Sequence, residues 1–152
     1  MRTRKIAIAS VFALAIGFGS VWAQQCDSLT NVCKDYLMKP IKKDPGSIFI
    51  SDGQTYRAFL DTDQTAEFTT TFYGGSTYRI ASSAGKKDNY TIFDVYDKEN
   101  NLLFSNMDYD NAPYWDFKVE STLDVRIEVR LDPNKKSSGC AVLLIGFKQL
   151  KK

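Results

Sequence analysis

The hydrophobic positions of this chain change period near residue 47. Upstream, residues 27–38 carry apolar side chains at Leu29, Val32, Cys33, Tyr36 and Leu37, the spacing of one helical face. Asp27 or Ser28 is placed to cap the first turn. This predicts one short amphipathic helix of about three turns. Pro40 and the run Lys42-Lys43-Asp44-Pro45-Gly46 end it as a linker and turn. Downstream the period is two. Leu123, Val125, Ile127, Val129 and Leu131 point one way, and Asp124, Arg126, Glu128 and Arg130 the other, as in a half-buried antiparallel strand with a charged outer face. Further strands are predicted over 47–50, 55–60, 65–73, 77–82, 90–96, 101–105, 113–119 and 139–148. Turn signals such as Asp52-Gly53, Gly74-Gly75 and Glu99-Asn100-Asn101 separate them. The last segment is apolar on both faces, so it belongs in the middle of a sheet or carries the helix on its outer face. Together these elements predict an all-β fold: an antiparallel β-sandwich or jelly-roll of eight or nine strands with one short N-terminal amphipathic helix.

The first 23 residues fit neither pattern. A basic start with Arg2, Arg4 and Lys5 precedes an apolar run from Ile6 to Phe18, and Val21 and Ala23 occupy the −3 and −1 places of a cut before Gln24. These are the three regions of a secretory signal peptide. The expected organisation is a signal peptide over 1–23, helix and linker over 24–46, the sandwich over 47–148 and a basic tail over 149–152. No later segment approaches the roughly 20 apolar residues of a membrane span. Removing 23 of the 152 residues leaves 129, one domain with room for a real core. Composition then excludes more than it selects. The leader takes three basic residues and no acidic ones, which moves the net charge from +2 to −1. A near-neutral surface argues against nucleic acid as a partner. The chain has no histidine, which removes the usual general base, the Ser-His-Asp and Cys-His nucleophile systems and His-containing zinc sites.

A resemblance rests on four stretches: Asp52-Gly53-Gln54-Thr55-Tyr56, Thr77-Tyr78-Arg79-Ile80, the run from Phe93 to Phe104, and Asp124 to Val129. In this order they resemble the strands of bacterial pre-peptidase C-terminal domains, small GOLD-like jelly-roll modules of secreted proteins. Phe49 to Gln54 and Tyr114-Trp115-Asp116-Phe117 also resemble segments of small uncharacterised exported proteins of Bacteroidota. The likeness covers about residues 48–148, and its motifs are structural. It implies an accessory, non-catalytic module.

Three cysteines remain after the leader: Cys26, Cys33 and Cys140. An odd number leaves at least one thiol unpaired within the chain. Cys26 and Cys33 lie about 10 Å apart along a single helix and cannot bridge each other. Cys33 lies on the apolar face and Cys140 opens the last strand, so the leading pairing is Cys33–Cys140. Cys26–Cys140 competes with it, and two buried thiols are the third option. Cys26 makes a poor lipoprotein site, because Gln25 stands where a small residue is needed. Asp108, Asp110 and Asn111 are candidate calcium ligands, with Asp97, Glu99 and Asp116 as neighbours. The run lacks the full Asp-x-Asp-x-Asp-Gly spacing of a calcium loop, so an ordinary acidic turn is the leading reading. No other cofactor is implied. Tyr109 and Tyr114 form the candidate ligand surface, whereas Trp115 alternates with Phe117 and Val119 and reads as core. Asn89-Tyr90-Thr91 fits a glycosylation acceptor pattern, and Asp94 with Asp116 is a formal carboxylate pair.

The expected function is an exported, non-enzymatic β-sandwich in the periplasm or outside the cell, which binds or scaffolds a protein partner at the envelope. The alternative is a carbohydrate-binding module, with calcium assistance, built on Tyr109 and Tyr114. A carboxylate enzyme such as a glycosidase is the third class.

Overall fold

The computed structural model describes residues 20–44, 47–85 and 89–149; for 20–25 and 149 it describes the backbone alone. Residues 1–19 of the expected signal peptide and 150–152 of the basic tail lie outside the described residues. The chain forms helix α1 (Ser20–Leu37) and strands β1 (Ile50–Ser51), β2 (Tyr56–Asp61), β3 (Thr65–Phe72), β4 (Ser76–Ser83), β5 (Thr91–Asp97), β6 (Leu102–Ser105), β7 (Tyr114–Val119), β8 (Leu123–Leu131) and β9 (Ser138–Gln149). Two antiparallel sheets result. In sheet I, β9 pairs on one side with β1 and β2 in succession and on the other with β4, which pairs with β7. Sheet II runs β3-β8-β5-β6. The predicted all-β sandwich, with nine strands and one N-terminal helix, is therefore present among the described residues. The first candidate strand shrinks to Ile50–Ser51; Phe49, just before it, is buried and packs over Arg79 on the outer face of sheet I.

The core lies between the sheets. The inward positions of β8 (Val125, Ile127, Val129, Leu131) meet Ala141, Leu143 and Ile145 of β9 and Tyr78 and Ile80 of β4. The outward positions of β8 carry the expected charges: Arg130 pairs with Asp94, and the Arg126 guanidinium lies 4.7 Å over the Tyr96 ring.

α1 covers the outer face of sheet I. Leu29 and Cys33 pack with Cys140, Val142 and Leu144 in a second apolar cluster. The helix is longer than expected, and its backbone continues through the predicted cleavage point at residues 23 and 24. It runs in the same direction as β9. Cys26 faces Cys140, the Cys33 thiol donates to the Val142 carbonyl at 3.4 Å, and Leu37 lies over Gly146. That direction corrects the expected disulfide. The bridge is Cys26–Cys140, with Cα atoms 5.6 Å apart, and Cys33 is a buried thiol. Cys33 stands about 10 Å further along the helix, two turns beyond the level of Cys140. The absent side chain of Gly146 is what lets the helix end approach, since a Cβ there would stand 2.7 Å from Leu37 Cδ1. No helix among the described residues is long and apolar enough to cross a membrane.

Candidate functional site

Arg79 anchors the end of the helix and one side of the candidate site. It is a strand residue on the outer face of β4, in the same cross-strand row as Gly146 and Asp116. Its Nε donates to Asp116 Oδ1 at 2.6 Å and its second terminal nitrogen to Asp116 Oδ2 at 2.8 Å. The remaining nitrogen donates to the carbonyls of Tyr36 (3.1 Å), Leu37 (3.2 Å) and Lys39. The guanidinium therefore satisfies carbonyls that the helix end leaves without partners, where positive charge is also favoured. Phe49 covers it at 4.2 Å and Tyr114 at 4.7 Å. Tyr114 also stacks on Tyr36 at 5.8 Å.

The chain from β6 to β7 turns through a one-turn 3₁₀ helix, Asn106–Tyr109, whose first turn the Ser105 hydroxyl caps by accepting from the Met107 N–H. Asn106 is fully buried and ties the turn to β5. Its amide donates to the carbonyls of Thr91 and Ala112 and accepts from the Phe93 N–H. Asp110 and Asn111 then take left-handed backbone angles, which Asn and Asp tolerate better than most residues. The corner is thus rigid, yet it presents Met107 and Tyr109 more than half exposed. Tyr109 lies on Trp115 with ring centres 4.2 Å apart. Trp115 lies on Phe104 at 5.1 Å, and Phe104 meets Phe117 edge-on at 5.0 Å. This aromatic ladder rises from the core to the surface. Beside it lies a shallow depression of about 450 Å³, lined by Ala112, Pro113, Tyr114, Trp115 and Asp116.

β7 is also the free edge of sheet I. Ser82 N donates to the Pro113 carbonyl and Gly75 N to the Val119 carbonyl, so odd-numbered residues of β7 pair with β4. In an antiparallel ladder the alternate residues Tyr114, Asp116 and Lys118 then turn their backbone N–H and C=O groups outward.

The structure separates several residues that the sequence grouped. Tyr109 and Tyr114 do not share a face: alternation along β7 sends Trp115 inward under Tyr109 and Tyr114 outward onto Arg79 and the helix. Asp108 and Asp110 are exposed, with Asp110 standing 3.9 Å from Lys135. Asn111 is buried and donates to Asp132 at 2.7 Å and to the Asn89 carbonyl at 3.1 Å. Among the described residues, no group of three or more acidic or cysteine side chains is placed to hold a metal. Burial works against the Asp132 carboxylate, but hydrogen bonds from the Asn134 N–H and Asn111 outweigh it and hold its pKa below the usual range. Asp94 and Asp116 are ion-paired on the outer faces of different sheets, Asp94 to Arg130 and Asp116 to Arg79. Thr91 of the acceptor pattern is buried and hydrogen-bonded to Ser82. Periodicity gave no warning of Arg79, Asn106 or Phe104. The one signal for Asn106 was an amide residue directly after a short strand.

No family model and no curated protein sequence matches the chain. Among solved structures, the chain is similar to Aeromonas hydrophila PliG, a periplasmic lysozyme inhibitor of g-type lysozyme. The TM-score is 0.49 and the identity 12%, over 72% of this chain and 94% of that one.

Proposed function

We propose that this protein is an exported, non-enzymatic β-sandwich module that binds a protein partner through the β6–β7 corner and the adjoining edge of β7. The observation that carries the proposal is the exposed aromatic surface on a rigid turn, beside outward backbone groups of an edge strand. Exposed aromatic residues on a pre-ordered scaffold lose little entropy on contact and commonly anchor interfaces. An open edge offers main-chain hydrogen bonds to an incoming strand. Export is supported by the leader pattern and by a disulfide, which persists in oxidising compartments. The non-enzymatic reading is supported by the lack of histidine and by the commitment of Asp94 and Asp116 to separate ion pairs. The resemblance to accessory jelly-roll modules of secreted proteins belongs to the same proposal.

Site-specific photo-crosslinking in the native host tests it. A benzoylphenylalanine at position 109 should give a discrete adduct with one protein. The same group at Phe59, exposed on the opposite edge of sheet I, should not give that adduct. Absence of an adduct from positions 107, 109 and 118 alike would overturn the proposal.

A further inference from the structure

At the β2–β3 end, the space between the sheets is not filled. A groove of about 310 Å³ opens there, bounded by β2 and β9 of sheet I and β3 and β8 of sheet II. Its origin is visible in the register. Ala58 of β2 lies directly opposite Ala141 of β9, and Ala66 of β3 lies opposite Val129 of β8. All these positions point inward. Near the other end of the sandwich, inward positions hold Phe72, Tyr78, Phe104 and Phe117. Large residues hold the two sheets at the usual separation of about 10 Å, and alanines at the same level leave a gap. One side of the groove carries a flat aromatic surface, where the Tyr56 and Phe68 rings stack with centres 4.0 Å apart and planes 12° apart. The Tyr56 hydroxyl is held by Asp52.

The charges near the mouth are engaged elsewhere. Arg57 pairs with Asp27 of α1 at 2.9 Å on the outer face of sheet I. Glu67 lies 3.8 Å from Arg126 on the outer face of sheet II. An anionic group inside the groove would therefore be desolvated without a free cationic partner, and beside the Asp52 carboxylate, which strongly disfavours it. A neutral ring would gain apolar burial and contact with the Tyr56–Phe68 wall. The volume lies at the lower end of ordinary small-molecule sites, about 300–1,000 Å³.

We propose that the β2–β3 groove is a binding site for a small uncharged aromatic molecule, separate from the protein-binding corner at β6–β7. The test uses the purified disulfide-bonded protein with N-phenyl-1-naphthylamine, an uncharged probe that fluoresces in apolar surroundings. One saturable site is expected. The sulfonated relative 1-anilinonaphthalene-8-sulfonate should bind at least tenfold more weakly. Ala66→Leu, which fills the groove from its half-buried lip, should weaken the neutral probe at least tenfold without lowering the melting temperature. Ala141→Leu fills the floor and should do the same. Leu103→Ala, on β6 and outside this groove, should leave the affinity within twofold. No saturable binding, equal affinity for the sulfonate, or full affinity in a folded Ala66→Leu variant would each overturn the proposal. Crosslinking from position 109 should be unchanged in Ala66→Leu, so the groove and the partner surface fail or succeed independently.

Discussion

Replacing Arg79 with methionine should be among the most damaging single changes in this protein. The side chain is 1% exposed and makes two hydrogen bonds to one carboxylate and three to carbonyls at the end of α1. Methionine keeps much of the length and apolar contact but removes all five. Removing one member of a buried ion pair costs about 3–5 kcal/mol, because the remaining charge stays desolvated. Asp116 is 28% exposed and regains some hydration, which moves the carboxylate contribution toward the lower limit. The orphaned helix carbonyls move the total up again. The expected loss is about 3–4 kcal/mol, or roughly 10 °C in melting temperature for a domain of this size. Urea denaturation should show a lower midpoint with an unchanged slope. Because the penalty comes from an unpaired charge, Arg79→Met combined with Asp116→Leu should recover at least 1 kcal/mol, an order-of-magnitude expectation for an apolar replacement of a buried pair. A single variant within about 1 kcal/mol of the parent would refute the anchoring role. A double variant no better than the single would refute the charge-based reason for it.

Other expectations follow from the same geometry. Non-reducing peptide mapping should recover Cys26 linked to Cys140 and Cys33 as a thiol; a Cys33–Cys140 peptide would contradict the parallel run of α1 on β9. Cys26→Ser should destabilise by about 4–5 kcal/mol on the chain-entropy estimate for a loop spanning 114 residues, far more than Cys33→Ser. Gly146→Val should displace the end of α1 and lower the melting temperature, whereas Gly53→Ala, with open space around it but a left-handed backbone, should act only through local strain. Asp132 has a folded pKa below its unfolded value, so its contribution is present above about pH 4 and is lost as the pH falls through the folded value. Asp132→Asn should accordingly flatten the acid limb of the stability curve, and an unchanged limb would count against the Asn111–Asp132 contact.

The strands were legible because each buries one face, and a two-residue period records that directly. β8 has the clearest alternation and the matching burial. The docking of α1 was legible for a related reason: β9 is apolar on both sides, and one amphipathic helix remained to cover the second. The cysteine pairing was not. Either direction of α1 along β9 buries the same helical face, and only the direction decides which cysteine stands above Cys140. Local periodicity carries no information about that direction. What selects it are long-range fits: the missing side chain at Gly146 beneath Leu37, and Arg79 waiting for the helix carbonyls.

The same limit applies to the candidate site, with a different outcome for each tyrosine. Trp115 was expected to face the core, and alternation then places Tyr114 on the outer face. That inference holds, but the outer face is covered by the end of α1, so Tyr114 becomes part of a stack with Tyr36 and Arg79. Tyr109 precedes the two left-handed residues that turn the chain into β7, and no strand period reaches across such a turn. Its placement over Trp115 depends on Asn106, whose amide binds β5 and the turn together from a buried position. A single polar residue buried for this purpose looks, in sequence, like any asparagine in a loop. The exposed aromatic ladder is therefore the product of a buried amide and an edge strand. Asn106→Leu should be the variant that separates order of the corner from its chemistry. It preserves Tyr109 and Met107 but orphans the Phe93 N–H and the Thr91 and Ala112 carbonyls, at a cost of about 1–3 kcal/mol for each buried group that stays unpaired. If the corner binds a partner because it is pre-ordered, this variant should lose the position-109 crosslink while the disulfide and sheet core persist. Retention of the crosslink in a variant whose corner exchanges amide hydrogens rapidly would mean that ordering of the turn contributes nothing to recognition.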